Sequence, residues 1–314
     1  MDEVGLTELG REAYKKGDFD LAATYYRKAL ELQPYDYEIV NKLGSVFFLQ
    51  SDFLAATKVY SDAIGKLKGQ EGEVLGNMHI SLAEAYLNLH RLEEAEAQVE
   101  IAGQVGANPA MLCEARGRGY NARGEYDKAL AAYEEYNRLV PEENYGYLGM
   151  AKAYEGLNQC DLAAQSLNAA KALTPDDYWV EIALGNLAMT LENYNTALNH
   201  YQTARELDSR KPAVIFSMAQ AYLMLEDYDN AKQMFSYALE RHPNDADSLY
   251  GLAQTELSAK NEQQAIVLLK SAILIDPSNH SYYTLLVQAQ AGSGKLLDAF
   301  LTALKARKLL KRQK

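Results

Sequence analysis

Chemistry in this chain of 314 residues would require a nucleophile beside a base, a cluster of metal ligands or a loop that cradles phosphate. The residues able to supply these are scattered. Cys113 and Cys160 stand 47 residues apart, outside any CxxC or zinc-type spacing, and read as small apolar fillers. His79, His90, His200, His242 and His280 form no HExxH and no Cys/His set, which leaves them solvent-facing or helix-end roles. Ala291-Gly292-Ser293-Gly294-Lys295 resembles the end of a phosphate loop, but Ala289 occupies the place of the first glycine and no strand precedes it. The acidic pairs Glu93-Glu94 and Glu134-Glu135 lie on amphipathic stretches whose other side is apolar, so solvation accounts for them. The expectation is a protein with no catalytic residues, no metal site and no cofactor.

Composition narrows the partner. The chain is 48% hydrophobic with only 7 prolines, enough to bury a large core in long helices. Its net charge is −12, and since the last ten residues, KARKLLKRQK, hold six cations and no acid, the rest carries −18. A body of that sign repels phosphates, which argues against nucleic acid and favours neutral or basic protein partners. The start, MDEVGLTELG, lacks the basic and apolar regions of a secretory leader, and no run approaches the ~18 apolar residues of a membrane span. The cytoplasm is therefore the expected compartment, with the periplasm or cell envelope as the alternative if a leader has been removed.

Repetition dominates the sequence. "GDFDLAATYYRKALELQP" at 17 to 34 returns as "GEYDKALAAYEEYNRLVP" at 124 to 141 and "EDYDNAKQMFSYALERHP" at 226 to 243. Frames of 34 residues from residue 3, shifted by five after residue 70, align nine copies through residue 313. The twentieth place is Ala in every copy: Ala22, Ala56, Ala95, Ala129, Ala163, Ala197, Ala231, Ala265 and Ala299. Seven places on, Ala recurs except at Tyr136, and between the two runs a large apolar column through Tyr26, Tyr60, Val99, Tyr133, Leu167, Tyr201, Phe235 and Leu269. Spacings of three and four put these residues on one helix face, with the alanines admitting a close neighbour. The first half of each frame carries the same period, through Leu9-Gly10, Leu43-Gly44 and Leu184-Gly185, with Tyr86, Tyr120, Tyr154 and Tyr222 one turn beyond such pairs. Breakers such as Lys16-Gly17-Asp18 and Arg123-Gly124-Glu125 separate the halves, and Pro34, Pro141, Pro175, Pro243 and Pro277 close frames. Each frame is thus a helix–turn–helix that must stack on the next to bury its apolar face.

These columns resemble the tetratricopeptide repeat over nearly the whole chain. The resemblance implies an all-α, right-handed superhelical solenoid of about nine helix–turn–helix repeats with a C-terminal capping helix. The expected organisation is repeats 1 and 2 over 3–70, an insertion and seam at 71–75, and repeats 3 to 9 over 76–313. Residues 295 to 312 read as a basic capping helix with a solvated face, whose cations suit a helix C-terminus. Arg116 and Tyr136 put bulk into close-contact columns and are expected to spread the helices of repeat 4.

The resemblance also implies a binding surface, because in the family the first helix of each copy lines a concave groove. Mapped onto the second, fifth and ninth places, it points to Tyr145, Leu148, Trp179, Ile182, Phe216 and Tyr250 as anchors and to Asn186, Gln220, Gln254 and Gln288 as a ladder of carboxamides. Each amide offers a donor and an acceptor, suited to the backbone of an extended peptide. The opposing reading is that the amides are merely solvated and the aromatics pack on neighbouring helices. The first copies present Glu8, Arg11, Lys15 and Lys42, and the set Thr7, Arg11, Lys42, Asn77 and Ser81 is a poor match to the family's clamp for a C-terminal carboxylate. The reading is a non-catalytic scaffold or adaptor for an extended, neutral to basic protein segment. The alternatives are an assembly factor of a bacterial secretion, pilus or envelope complex, and a scaffold that self-associates as a homo-oligomer through its convex face or ends.

Overall fold

The computed structural model describes residues 2–33, 36–67, 72–208 and 213–310, the side chains of Ala213 and Leu310 excepted. Among them there are eighteen α-helices and no strand. They pair as α1 (Glu3–Lys15) with α2 (Phe19–Leu32), α3 (Tyr37–Leu49) with α4 (Phe53–Lys66), α5 (Glu73–Asn88) with α6 (Leu92–Val105), α7 (Pro109–Arg123) with α8 (Tyr126–Leu139), and α9 (Tyr145–Gly156) with α10 (Cys160–Leu173). The series continues with α11 (Tyr178–Thr190) and α12 (Tyr194–Leu207), α13 (Ala213–Met224) and α14 (Tyr228–Arg241), α15 (Ala246–Ser258) and α16 (Glu262–Ile275), and α17 (His280–Gly292) and α18 (Leu296–Leu310). Contacts divide the chain into two compact units, Met1–Thr174 with five helix pairs and Pro175–Lys314 with four.

The turn inside each pair is set by one residue. At the fifteenth place of every frame, Gly17, Ser51, His90, Gly124, Asn158, Glu192, Glu226, Lys260 and Gly294 all adopt the left-handed conformation, with φ between 56° and 79°. The next residue's N–H then reaches back five residues, as Asp227 to the Tyr222 carbonyl at 3.0 Å, which satisfies carbonyls the helix end would leave open. The following helix starts at once, in several repeats on an aspartate: the backbone N–H groups of Leu21, Ala55 and Asn230 donate to the carboxylates of Asp18, Asp52 and Asp227.

Packing between the two helices of a pair is a matched fit of the eighth and twenty-fourth places. A Cβ at Gly10, Gly44, Gly117 or Gly185 would lie 2.4–2.6 Å from the ring of Tyr26, Tyr60, Tyr133 or Tyr201. Where the ring is replaced by Val99, Leu167 or Leu269 the eighth place is Ala83, Ala151 or Ala253, and in the last copy Val287 faces Ala303. In these eight copies a larger residue on one side accompanies a smaller one on the other, as close packing requires, while in the remaining copy Phe235 stands over Ala219 and finds its room at Gly251 of the next first helix. The twentieth-place alanines are almost fully buried, Ala22, Ala56, Ala129, Ala163, Ala197, Ala231 and Ala265 completely so.

Two expectations about repeat 4 divide. Tyr136 is buried without displacing its neighbour, because Gly146 on α9 makes room: a Cβ there would be 2.9 Å from the Tyr136 ring. Arg116, by contrast, lines a cavity of about 230 Å³ between α6 and α7 together with Leu92, Val99, Gly119 and Tyr120. The expectation for the histidines needs correction as well. His79 is buried, with Nδ1 2.7 Å from Gln98 Oε1, and His200 Nδ1 lies 2.7 Å from a carboxylate oxygen of the buried Glu181. Both pairs join the fourth place of a first helix to the twenty-third place of its partner, so these imidazoles tie helices together.

Of the insertion expected at 71–75, Glu71 lies outside the described residues. Gly72 sits at φ 125° and donates its N–H to the Val105 carbonyl at 2.7 Å, and α5 begins at Glu73, which makes it the longest helix at 16 residues. Pro34 and the tail cations Lys311, Arg312 and Lys314 also fall outside the described residues. The C-terminal helix α18 packs on α17 through Ala299, Thr302 and Ala306. Its outward face is exposed, as expected of a solvated face, but it is apolar, and is taken up below.

Candidate partner-binding face

The first helices of the second unit, α11, α13, α15 and α17, touch one another in that order. Residues at one place of the frame therefore form a file across the four, and the ninth place supplies Asn186, Gln220, Gln254 and Gln288. Helix geometry aims this place away from the second helices, since the buried strip of each first helix runs through the fourth, seventh, eighth and eleventh places. Gln220 and Gln288 are exposed and Gln254 half-buried, and among the described residues no hydrogen bond engages their amides. Asn186 differs: it is exposed, but its Oδ1 accepts from the Tyr201 hydroxyl at 2.8 Å, so its outward offer is the NH₂ group.

The apolar candidates behave unequally. Trp179 begins α11 one residue after Tyr178, is 50% exposed, and meets the Tyr178 ring edge-on at a centroid distance of 5.0 Å. Its backbone N–H donates to the capping Asp177 at 2.7 Å, which fixes the start of the helix. Ile182 is half-buried one turn on. Phe216 is half-buried against Phe235 at 5.7 Å, and Tyr250 against Tyr282 at 5.3 Å, so each presents an edge and spends the rest of its surface on the fold. Tyr145, 52% exposed, and the half-buried Leu148 belong to the first unit, whereas the other eight candidates belong to the second.

The ninth place of the first unit holds Arg11, Ser45, Glu84, Arg118 and Lys152, and three of its four charges are held in ion pairs. Arg118 lies 2.8 Å from Glu84 on the preceding first helix and 3.8 Å from Glu114 on its own, and Arg11 pairs with Glu8 at 2.9 Å. Burial pushes the Glu114 carboxyl up, against the pull of Arg118. The Arg118–Glu84 pair links α7 to α5, while the other two pairs stay within one helix, and all three leave their charges engaged. Unengaged carboxamides retain their donor and acceptor for a ligand, at less desolvation cost than an ion would carry. Among the described residues no three His, Cys, Asp or Glu side chains gather as a metal site, and no helix is long and apolar enough to cross a membrane.

Comparison with known proteins agrees with this architecture. The pattern of the family Tetratricopeptide repeat is matched twice, by residues 7–71 and by residues 223–289. Among curated proteins, the chain is 27% identical over 139 residues to anaphase-promoting complex subunit 3 of Schizosaccharomyces pombe, covering 44% of this chain and 21% of that protein. It is 25% identical over 181 residues to stress-induced-phosphoprotein 1 of Caenorhabditis elegans, covering 48% and 57%. The chain thus spans about a fifth of the first relative and just over half of the second. Among solved structures, the Cut9–Hcn1 hetero-tetramer of the anaphase-promoting complex aligns with a TM-score of 0.65 and 21% identity, over 89% of this chain and 54% of that one, a likeness of fold. Nine helix pairs among the described residues, the alanine columns and both family matches make this a chain built of tetratricopeptide repeats.

Proposed function

We propose that the second unit holds an extended segment of another protein along the file of first helices, with no chemistry performed on it. The observation that carries the reading is the recurrence of an unengaged amide at one place of three consecutive helices, Gln220, Gln254 and Gln288, with a half-exposed tryptophan at the start of the same surface. Amides at a fixed repeat suit the repeating N–H and C=O groups of a main chain, which gives affinity with modest regard for side chains. Trp179 is the natural anchor, since an indole already half packed loses little freedom on binding. The acidic body favours a neutral or basic segment.

The test compares wild type with Trp179→Ala/Gln220→Ala/Gln288→Ala as bait for proteins of the native extract and for arrays of neutral and basic peptides. Gln220 and Gln288 are exposed and Trp179 is half packed, so the circular dichroism melt should keep its cooperative form with at most a modest shift. The reading expects a ligand captured by wild type and lost by the variant; a ligand retained by a folded variant sets it aside.

A further inference from the structure

The outward face of the last helix is the largest apolar feature left uncovered. Leu296, Leu297, Phe300, Leu301 and Leu304 are 70%, 72%, 61%, 50% and 42% exposed. At 100° per residue they fill an arc opposite Ala299, Thr302 and Ala306, the strip that packs on α17. Leu296 and Phe300 stand at the seventeenth and twenty-first places, which are often apolar in other second helices, as at Phe19, Tyr126, Leu130 and Leu198, but the places of Leu297 and Leu304 are largely polar there: the eighteenth holds Asp20, Glu93, Asp127, Asp161 and Asp229, and the twenty-fifth holds Arg27, Glu100, Glu134 and Gln202. The usual polar surface of a second helix therefore does not account for Leu297 and Leu304, and with Leu296, Phe300 and Leu301 beside them they make a contiguous apolar patch of the kind that marks a contact.

The cations say what it contacts. Arg307 and Lys308 fall in the same arc one turn beyond Leu304, Lys305 flanks it, and Lys270 on α16 stands across a cavity of about 320 Å³ whose wall includes Leu301 and Lys305. Among the described residues none of the four is held in an ion pair. The same cavity is lined by Gln290, only 4% exposed, whose Oε1 is a buried acceptor with no partner. Gln290 stands where Tyr86, Tyr120, Tyr154 and Tyr222 fill the equivalent space in other repeats. A second copy of the chain laid on this stripe would offer its cations a single carboxylate from α18, Asp298. An anionic phospholipid surface offers phosphates to the lysines, a hydroxyl or ammonium group to Gln290, and an interfacial region for the leucines and phenylalanine.

We propose that α18 is a membrane-surface docking helix: its Leu/Phe stripe enters the interface of an anionic bilayer while Lys270, Lys305, Arg307 and Lys308 meet the headgroups. The helix lies on the surface and does not span it, because its Ala299–Ala306 strip stays packed on α17.

The experiment floats the full chain with vesicles of phosphatidylcholine alone, or of phosphatidylcholine with one third phosphatidylglycerol, at low and at physiological salt. The proposal expects retention on the anionic vesicles, weakened by salt, and little on the neutral ones. Leu297→Ser/Leu301→Ser and, separately, Arg307→Glu/Lys308→Glu should each lower partitioning about tenfold or more. These side chains are exposed, so unchanged melts certify the fold, and the charge variant remains a test should the serine variant melt early. Absence of retention by wild type, or partitioning unaltered in both variants, overturns the proposal. So does a wild-type dimer in sedimentation equilibrium that Leu297→Ser/Leu301→Ser dissolves, which would give the stripe to a second copy.

Discussion

A glycine under a tyrosine is the smallest unit of this architecture. Gly185 lets α11 approach the Tyr201 ring so closely that a Cβ would lie 2.4 Å from Cε1, and the ring, 1% exposed, has nowhere to retreat. Gly185→Ala should cost about 1–2 kcal/mol, overpacking exceeding the gain in helix propensity. Tyr201→Leu should cost about 2 kcal/mol through the cavity and the lost bond to Asn186. The double variant recreates the Ala/Leu pairing of Ala151 with Leu167, so its cost should fall short of the sum by about 1 kcal/mol or more. Chemical denaturation of the four proteins checks this; strict additivity would show that the two places are not matched. The pairing is visible in the sequence once the columns are aligned, since Gly accompanies Tyr in all four copies that have Tyr. What spacing alone does not convey is the reach of side chains across helices. The Gly146 notch that receives Tyr136, and the links from Glu181 to His200 and from His79 to Gln98, require knowing which faces meet.

At the scale of the element, the turn between paired helices depends on a left-handed residue that is glycine in only three of nine copies, Gly17, Gly124 and Gly294. The turn was therefore legible as an interruption of period while its conformation was not, because Ser51, His90 and Glu226 carry no local sign of positive φ. An L-residue held there is strained by about 1–2 kcal/mol, partly offset against glycine by glycine's entropy in the unfolded chain. Glu226→Gly should therefore stabilise by up to about 1 kcal/mol, and Gly124→Ala should destabilise by about 1 kcal/mol or more, read as shifts of the denaturation midpoint. A loss of stability in Glu226→Gly would mean that the carboxylate makes a contact outweighing its strain. The same scale explains why α18 was misread: its cations follow a rule for helix ends, whereas exposure of Leu297 and Phe300 depends on nothing being packed over them.

Across the molecule, the buried tyrosines of the twenty-fourth place link stability to alkaline pH. Burial away from water pushes the Tyr26, Tyr60 and Tyr133 hydroxyls above their ordinary 10.0, and pushes Tyr201 up to about 12. A raised pKa means that the folded state binds the proton more tightly than the unfolded one. The stabilisation is therefore whole below pH 10 and fades as pH climbs toward 12 and beyond. Helical circular dichroism against denaturant at steps from pH 8 to 12 should show a constant midpoint to about pH 10 and a steep fall above it. A flat profile would mean that the rings ionise without leaving their sites. The binding claim also belongs at this scale, because an amide ladder exists only when successive repeats stack. The sequence placed Gln220, Gln254 and Gln288 in register through the 34-residue period. It did not distinguish them from Asn186, whose acceptor the fold uses, or from Phe216 and Tyr250, which are partly committed to packing.

The most direct measurement puts a photo-crosslinking residue at position 220 in the ninth-place file, and in a second protein at position 237, where Tyr237 is exposed on the second helix α14. Each is illuminated in native extract. Crosslinks from 220 to a single neutral or basic segment, competed away by the corresponding peptide and absent from 237, are the predicted result. Crosslinks from 237 and none from 220 would contradict the account and move the partner to the opposite face.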